Sequence, residues 1–291
     1  YMPKLNTNNP ECRDYIIGVC RKWVKDYDID GLRLDVANEV SHVFCKELKK
    51  AMCELKPDFY IIGEIWHNSL PWLRGDEYDS VMNYMFRNAV VSYVRDGKLT
   101  EAVNTLERLR ERYPKEAFYA MMNLVGSHDT SRILSYLDGI DDDRNQKDTD
   151  SAFPTYEKTS ELAKNLQYVV AFLQMTYPGA PTIYYGDEIG MVGSDDPDDR
   201  RAMTWGQGNK ELVEWYATMA KIRSQYSALR TGDITMLSFN DNVMAYTRSD
   251  KDASLLVMAN NTDKEITTTV DLAKLGFADG SYTDLVTGTG Y

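Results

Sequence analysis

Asp35 and Glu64 are the side chains around which this sequence could build chemistry. Asp35 stands near the end of Asp30-Gly-Leu-Arg-Leu-Asp-Val36, and Glu64 lies inside Ile61-Ile-Gly-Glu-Ile-Trp66, 29 residues later. Each run reads as a buried strand that delivers an acid at its C-terminal end. Two carboxylates brought together at the mouth of a parallel barrel are what cleavage of a glycosidic bond requires. One attacks or shields the sugar carbon while the other protonates the departing oxygen.

Alternation along the first strand puts Gly31, Arg33 and Asp35 on one face and turns Leu32, Leu34 and Val36 towards outer helices. Arg33 then reaches Asp35, and its fixed charge is expected to keep that carboxylate ionised. A plain Arg–Asp pair holding the floor of a barrel is the structural alternative. Glu64, set between Ile62, Ile65 and Trp66, is expected to be desolvated and to hold a proton near neutral pH. A third group, His128 and Asp129 in Val125-Gly-Ser-His-Asp-Thr130, ends a later predicted strand. It is suited to hydrogen-bonding sugar hydroxyls and to stabilising positive charge on the ring, although a His-Asp pair also serves as a helix cap or a buried pair.

The elements that must position these groups alternate. Asn9-Pro10-Glu11 is a helix start, and Tyr15, Ile16, Val19, Cys20, Trp23, Val24 and Tyr27 then recur on one helical face. The spacing predicts strands at 30–36, 59–65, 79–84, 120–126 and 181–186, with helices over 41–56 (Val43, Phe44, Leu48, Met52 and Leu55 on one side), 87–112, 159–176 and 210–226. This is an α/β pattern of about five β/α units, in which a partial barrel occupies 1–230. From 231 to 291 the texture changes to short strand-like runs, 233–239, 243–248, 254–259 and 266–270, as in a small antiparallel β domain. The acidic run 141–150 reads as a solvated loop.

Composition excludes some classes. A net charge of −12 over 291 residues argues against nucleic acid or an anionic membrane as partner and suits a neutral ligand. No apolar run approaches the length of a membrane helix. Cys12, Cys20, Cys45 and Cys53 match neither a metal nor a redox spacing and read as free thiols of a reducing, cytoplasmic compartment. The three histidines, His42, His67 and His128, do not make a metal-ligand spacing; His42 reads as a helix-start residue and His67 as lining a cleft.

Gly31-Leu-Arg-Leu-Asp35, Gly63-Glu-Ile-Trp66 and Ser127-His-Asp129 resemble the second, third and fourth signature regions of the α-amylase superfamily of glycoside hydrolases. Met2-Pro-Lys-Leu-Asn6 resembles the short region before the fourth strand of that family's (β/α)8 TIM barrel. Val36-Ala-Asn-Glu39, Met82-Asn-Tyr84, Tyr177-Pro-Gly-Ala-Pro181, Tyr185-Gly-Asp-Glu-Ile-Gly190 and Asp196-Pro-Asp-Asp-Arg-Arg201 look like the neopullulanase, cyclomaltodextrinase and maltogenic amylase branch. The resemblance implies a retaining α-glucan hydrolase with Asp35 as nucleophile, Glu64 as acid/base and Asp129 as transition-state stabiliser. Arg33 and His128 would contact substrate, with Asn38, Glu39 and Trp66 on the acceptor side. It implies carboxyls roughly 5–5.5 Å apart, an α-glucan oligosaccharide as partner, and no required cofactor. It leaves room for a structural calcium ion whose ligands this sequence does not identify, and for a homodimer of the full-length parent.

The family's first signature region and its N-terminal β domain have no counterpart here. The sequence is therefore expected to be a fragment corresponding to barrel strands four to eight and the following β domain. Rival functions are a glucan-transferring or isomerising enzyme that uses the same three acids, and an amylase-like binding module that has lost catalysis. A metal-dependent enzyme is disfavoured by the histidine spacing.

Overall fold

The computed structural model describes residues 3–140, 155–237 and 242–291. The acidic run 141–150 lies outside them. Contacts group the chain into two compact units, one of residues 1–85 and 108–122, the other of residues 86–107 and 123–291.

The first unit opens with helix α1, Pro10–Tyr27. Asn9 caps it as expected, its side chain accepting from the Cys12 N–H at 3.2 Å. The buried stripe is narrower than the expected one. Ile17, Cys20 and Val24 are buried, whereas Tyr15, Trp23 and Tyr27 are exposed, because α1 packs on the single helix α2, His42–Cys53. In α2 the buried side consists of Phe44, Cys45, Leu48, Ala51 and Met52, and Val43 is exposed.

Strands β1 (Gly31–Leu34), β2 (Tyr60–Gly63) and β3 (Ser80–Val81) form a parallel sheet in that order. Gly31 pairs with Tyr60 and Leu34 with Gly63. A Cβ on Gly31 would lie 2.5 Å from the Tyr60 carbonyl oxygen, so only glycine admits this register. Lys49 on α2 ties helix to sheet: its Nζ donates to Asp79 Oδ2 at 2.6 Å, and the same oxygen accepts from the Ile61 N–H at 2.7 Å. Helix α3 (Tyr84–Asp96) begins in this unit and α4 (Leu99–Arg112) ends in it. The single helix expected over 87–112 is broken at Gly97, whose φ of 69° is the left-handed conformation that glycine adopts without cost. Helix α5, Lys115–Ala120, was not anticipated and displaces the start of the strand expected at 120–126. That strand, β4, is Met122–Leu124, and Met122 makes a parallel bridge to Met82.

In the second unit Asn123 and Leu124 of β4 share a two-stranded sheet with β5, Ala180–Thr182, which is shorter than the run expected at 181–186. Buried Gln174 donates to the carbonyls of Asn123 and Thr182 at 2.9 and 2.8 Å and so joins the two strands to helix α7, Glu161–Thr176. Short α6, Ile133–Leu137, precedes α7; α8 (Lys210–Gln225) and α9 (Ser227–Thr231) follow β5. The antiparallel sheet β6 (Asp233–Leu237), β7 (Val243–Ser249) and β8 (Ser254–Asn260) has β7 at its centre. Residues 266–270, expected as a further strand, are irregular. This sheet belongs to the same unit as α3 and α7 because polar groups stitch them together. Met244 N–H donates to the Tyr93 hydroxyl at 3.1 Å, the Tyr246 and Thr176 hydroxyls lie 2.6 Å apart, and Arg248 donates to the Thr176 carbonyl at 2.5 Å. No helix among the described residues is long and apolar enough to cross a membrane.

Candidate active site

Parallel pairing brings the ends of β1 and β2 side by side, and the backbone ladder runs one step past both strands. Glu64 N–H donates to the Leu34 carbonyl at 2.9 Å, and Ala37 N–H donates to the Glu64 carbonyl at 3.1 Å. Between these bonds the chain turns at Asp35 and Val36. Asp35 is therefore beyond the strand, not inside it as the 30–36 reading has it, and its side chain is 74 % exposed. Val36, expected to face outer helices, is exposed and left-handed, with φ 43° and ψ 46°. A β-branched residue pays roughly 1–2 kcal/mol for that conformation. Its return is a backbone N–H aimed at Glu64 Oε2, 2.9 Å away.

Arg33 organises the rest. One guanidinium nitrogen ion-pairs with Asp35 Oδ1, as expected from the strand parity, and the other sits 3.0 Å from Glu64 Oε2. The two carboxylates are thus held by one planar cation, the geometry for which arginine is suited and lysine is not. Glu64 is buried, at 7 % exposure, but its carboxylate is not in the hydrocarbon setting that Ile62, Ile65 and Trp66 suggested. Oε2 takes Val36 N–H and Arg33, and Oε1 takes Trp66 Nε1–H at 3.0 Å. Glu64 is buried as expected, but two of these donors, Val36 N–H and Arg33, come from β1 and the turn after it, which a local reading does not reach. Trp66 is 42 % exposed and stacks on Tyr84, ring centroids 3.7 Å apart and planes 8° from parallel. Asn38 and Glu39 form a short 3₁₀ turn after Val36, and Lys4 Nζ donates to the Glu39 carbonyl at 2.8 Å.

His128 and Asp129 lie in the second unit, just after β4. Asp129 N–H is held by Ser127 Oγ at 3.1 Å; its carboxylate lies 3.2 Å from His128 Nε2 and 3.3 Å from Arg200 Nη2. Arg200 also donates to the His128 carbonyl at 2.8 Å and pairs with Asp196 at 3.1 Å. Arg200 stands in the Asp196–Arg201 run, and nothing local in sequence links it to a carboxylate 71 positions earlier. Beneath this loop Asp187 and Arg132 are both fully buried, 3.6 Å apart, and a Cβ on Gly126 would meet Asp187 Oδ2 at 2.5 Å. Burial pushes the Asp187 carboxyl up to about 7, against the opposing pull of Arg132.

Among the described residues no group of three His, Cys, Asp or Glu side chains is placed to hold a metal ion. The four cysteines are free.

Residues 1–230 match the family described as alpha amylase, catalytic domain. The chain belongs to the alpha-amylase catalytic domain family. A cyclomaltodextrinase from Geobacillus thermopakistaniensis is 40 % identical over 269 residues, covering 90 % of this chain and 42 % of that protein. Neopullulanase 2 of Thermoactinomyces vulgaris is 38 % identical over 99 % of this chain and 46 % of its own length. Among solved structures, cyclic alpha-maltosyl-(1→6)-maltose hydrolase from Arthrobacter globiformis superposes with a TM-score of 0.78 at 32 % identity, covering 89 % of this chain and 55 % of that one. This alpha-amylase family chain spans less than half the length of the two curated relatives.

Proposed function

We propose that the chain carries the reacting carboxylates of a retaining α-glucan hydrolase, on strands that form the later part of a (β/α)8 barrel. The observation that carries the reading is the Arg33 guanidinium bridging Asp35 and Glu64 at the ends of neighbouring parallel strands. Asp35, exposed and charge-paired, attacks the anomeric carbon and forms a glycosyl ester while Glu64 gives its proton to the glycosidic oxygen, which leaves as an alcohol. Water then surrenders a proton to Glu64 and attacks the same carbon, and Asp35 is released with retention of configuration. Among the described residues Oε1 takes one donor and Oε2 two, which supports Oε1 as the oxygen freer to meet the glycosidic oxygen.

Asp129, fixed by Arg200 and His128, is the transition-state stabiliser, and Arg33 and His128 contact the sugar. Asn38, Glu39 and the Trp66–Tyr84 stack line the acceptor side. The names of the relatives support maltodextrins, cyclodextrins or pullulan as substrate, with α-1,4 and α-1,6 bonds both in range. The test compares Glu64→Gln with wild type in the whole natural polypeptide on cyclodextrin, pullulan and starch. Wild type releases maltooligosaccharides with retained anomeric configuration, and the variant loses about 10³-fold or more in kcat. Unchanged turnover in the variant, or inverted product, refutes the assignment.

A further inference from the structure

Glu77 is a carboxylate that the reaction above does not use. Its side chain is 3 % exposed, and both of its oxygens lie at hydrogen-bond distance from His42 Nδ1, at 3.0 and 2.8 Å. Lys46 is also near, 4.0 Å away and itself paired with Asp76 at 2.7 Å. A carboxylate that deep is retained at a desolvation cost, which makes its partner informative. His42 is the first residue of α2, in keeping with its helix-start position in the sequence, but its ring has a second engagement. It stacks on Trp72 with centroids 5.4 Å apart and planes 23° from parallel, and Trp72 in turn meets the ring of His67 at 6.1 Å. His67 directly follows Trp66, the residue whose indole N–H holds Glu64 Oε1.

The next residue grips the other reacting segment. The Tyr78 hydroxyl donates to the Ala37 carbonyl at 3.1 Å and lies 3.0 Å from Cys45 Sγ, and its ring fills the space that a Cβ on Gly63 would need. Consecutive residues 77 and 78 therefore engage both the loop that follows Asp35 and, through His42 and Trp72, the loop that follows Glu64.

We propose that Glu77, acting through His42 and Trp72, is a positioning residue for Glu64: it fixes the 65–72 loop so that Trp66 holds Oε1 in line with the leaving oxygen. The proposal rests on the acid/base role of Glu64 given above. In the glycosylation half the effect scales with how much protonation the leaving group needs, and kcat/KM reports that half alone, whereas the water-activating half is common to every substrate.

The experiment uses Glu77→Gln, which keeps the shape, and His42→Asn, which keeps a donor near the Nδ1 position but removes the ring from Trp72. Each is assayed in the whole natural polypeptide on maltodextrin and on α-maltosyl fluoride, whose fluoride departs with little protonic help. Each variant should lose about 10- to 100-fold in kcat/KM on maltodextrin and less than about threefold in kcat/KM on the fluoride, the parameter that reports glycosylation alone. Hydrogen exchange supplies an arm independent of turnover: amides of 65–73 should exchange at least about fivefold faster in both variants, with β1 unchanged. Equal losses on the two substrates, no loss on either, or faster exchange confined to the first turn of α2 would overturn the proposal. If wild type turns over neither substrate the hydrolase reading falls, and the exchange arm still decides the role of Glu77.

Discussion

At the scale of single residues, the chemistry was legible wherever it depends on strand parity. Arg33 and Asp35 share a face because they are two apart, and they do meet. The surroundings of Glu64 were not legible, since Arg33 on the neighbouring strand and Val36 N–H in the turn after it lie 31 and 28 positions away. The same holds for Glu77 with His42 and for Asp129 with Arg200, pairs with no periodic signal linking them. Arg33 offers a direct test. Arg33→Lys keeps the charge but cannot span two carboxylates. It should lower kcat on maltodextrin by about 10²-fold with KM changed far less. Steady-state kinetics beside a thermal melt checks this, and a kcat within about threefold of wild type would show that the bridge is not needed for turnover.

Among the elements, every expected β/α strand is present and every one is shorter than its hydrophobic run. The ends of the runs are spent on turns that aim side chains: Asp35 and Val36 after β1, Glu64 and Ile65 after β2. Hydrophobicity marks burial, and Ile65 and Val125 lie past the ends of β2 and β4 yet are fully buried, so composition overestimates strand length. The break between α3 and α4 needed only a left-handed Gly97, which a helical periodicity passes over. The contact that sets the β1–β2 register is that of Gly31 with the Tyr60 carbonyl. Gly31→Ala should destabilise the protein by about 1–3 kcal/mol, as for overpacking of a closed site. Chemical denaturation measures it, and an unchanged midpoint would mean that the strands separate at no cost.

For the molecule as a whole, linkage between protonation and folding gives a prediction with a definite sign. Asp187 is raised from the ordinary carboxylate range to about 7, chiefly by burial. Between about pH 4 and 7 the folded form therefore holds a proton that the unfolded chain has released. Its contribution is fully present below pH 4 and is lost as pH rises towards 7. The stability difference between wild type and Asp187→Asn should accordingly shrink over that window in denaturation curves, and a flat difference would show that Asp187 ionises as it does in the unfolded chain.

The sequence alone determined that this is an α/β chain of about five β/α units with a following antiparallel sheet. It also singled out Asp35, Glu64 and the His128–Asp129 pair, because strand parity, caps and short motifs are local properties carried by neighbouring residues. Tertiary structure decided the rest: where each strand stops, which oxygen of Glu64 is held by which donor, the left-handed turn at Val36, and the buried partners Glu77 and Asp187. Those outcomes depend on groups far apart in the chain becoming neighbours, and the free energy of a buried charge is set by those neighbours rather than by the residues beside it in sequence.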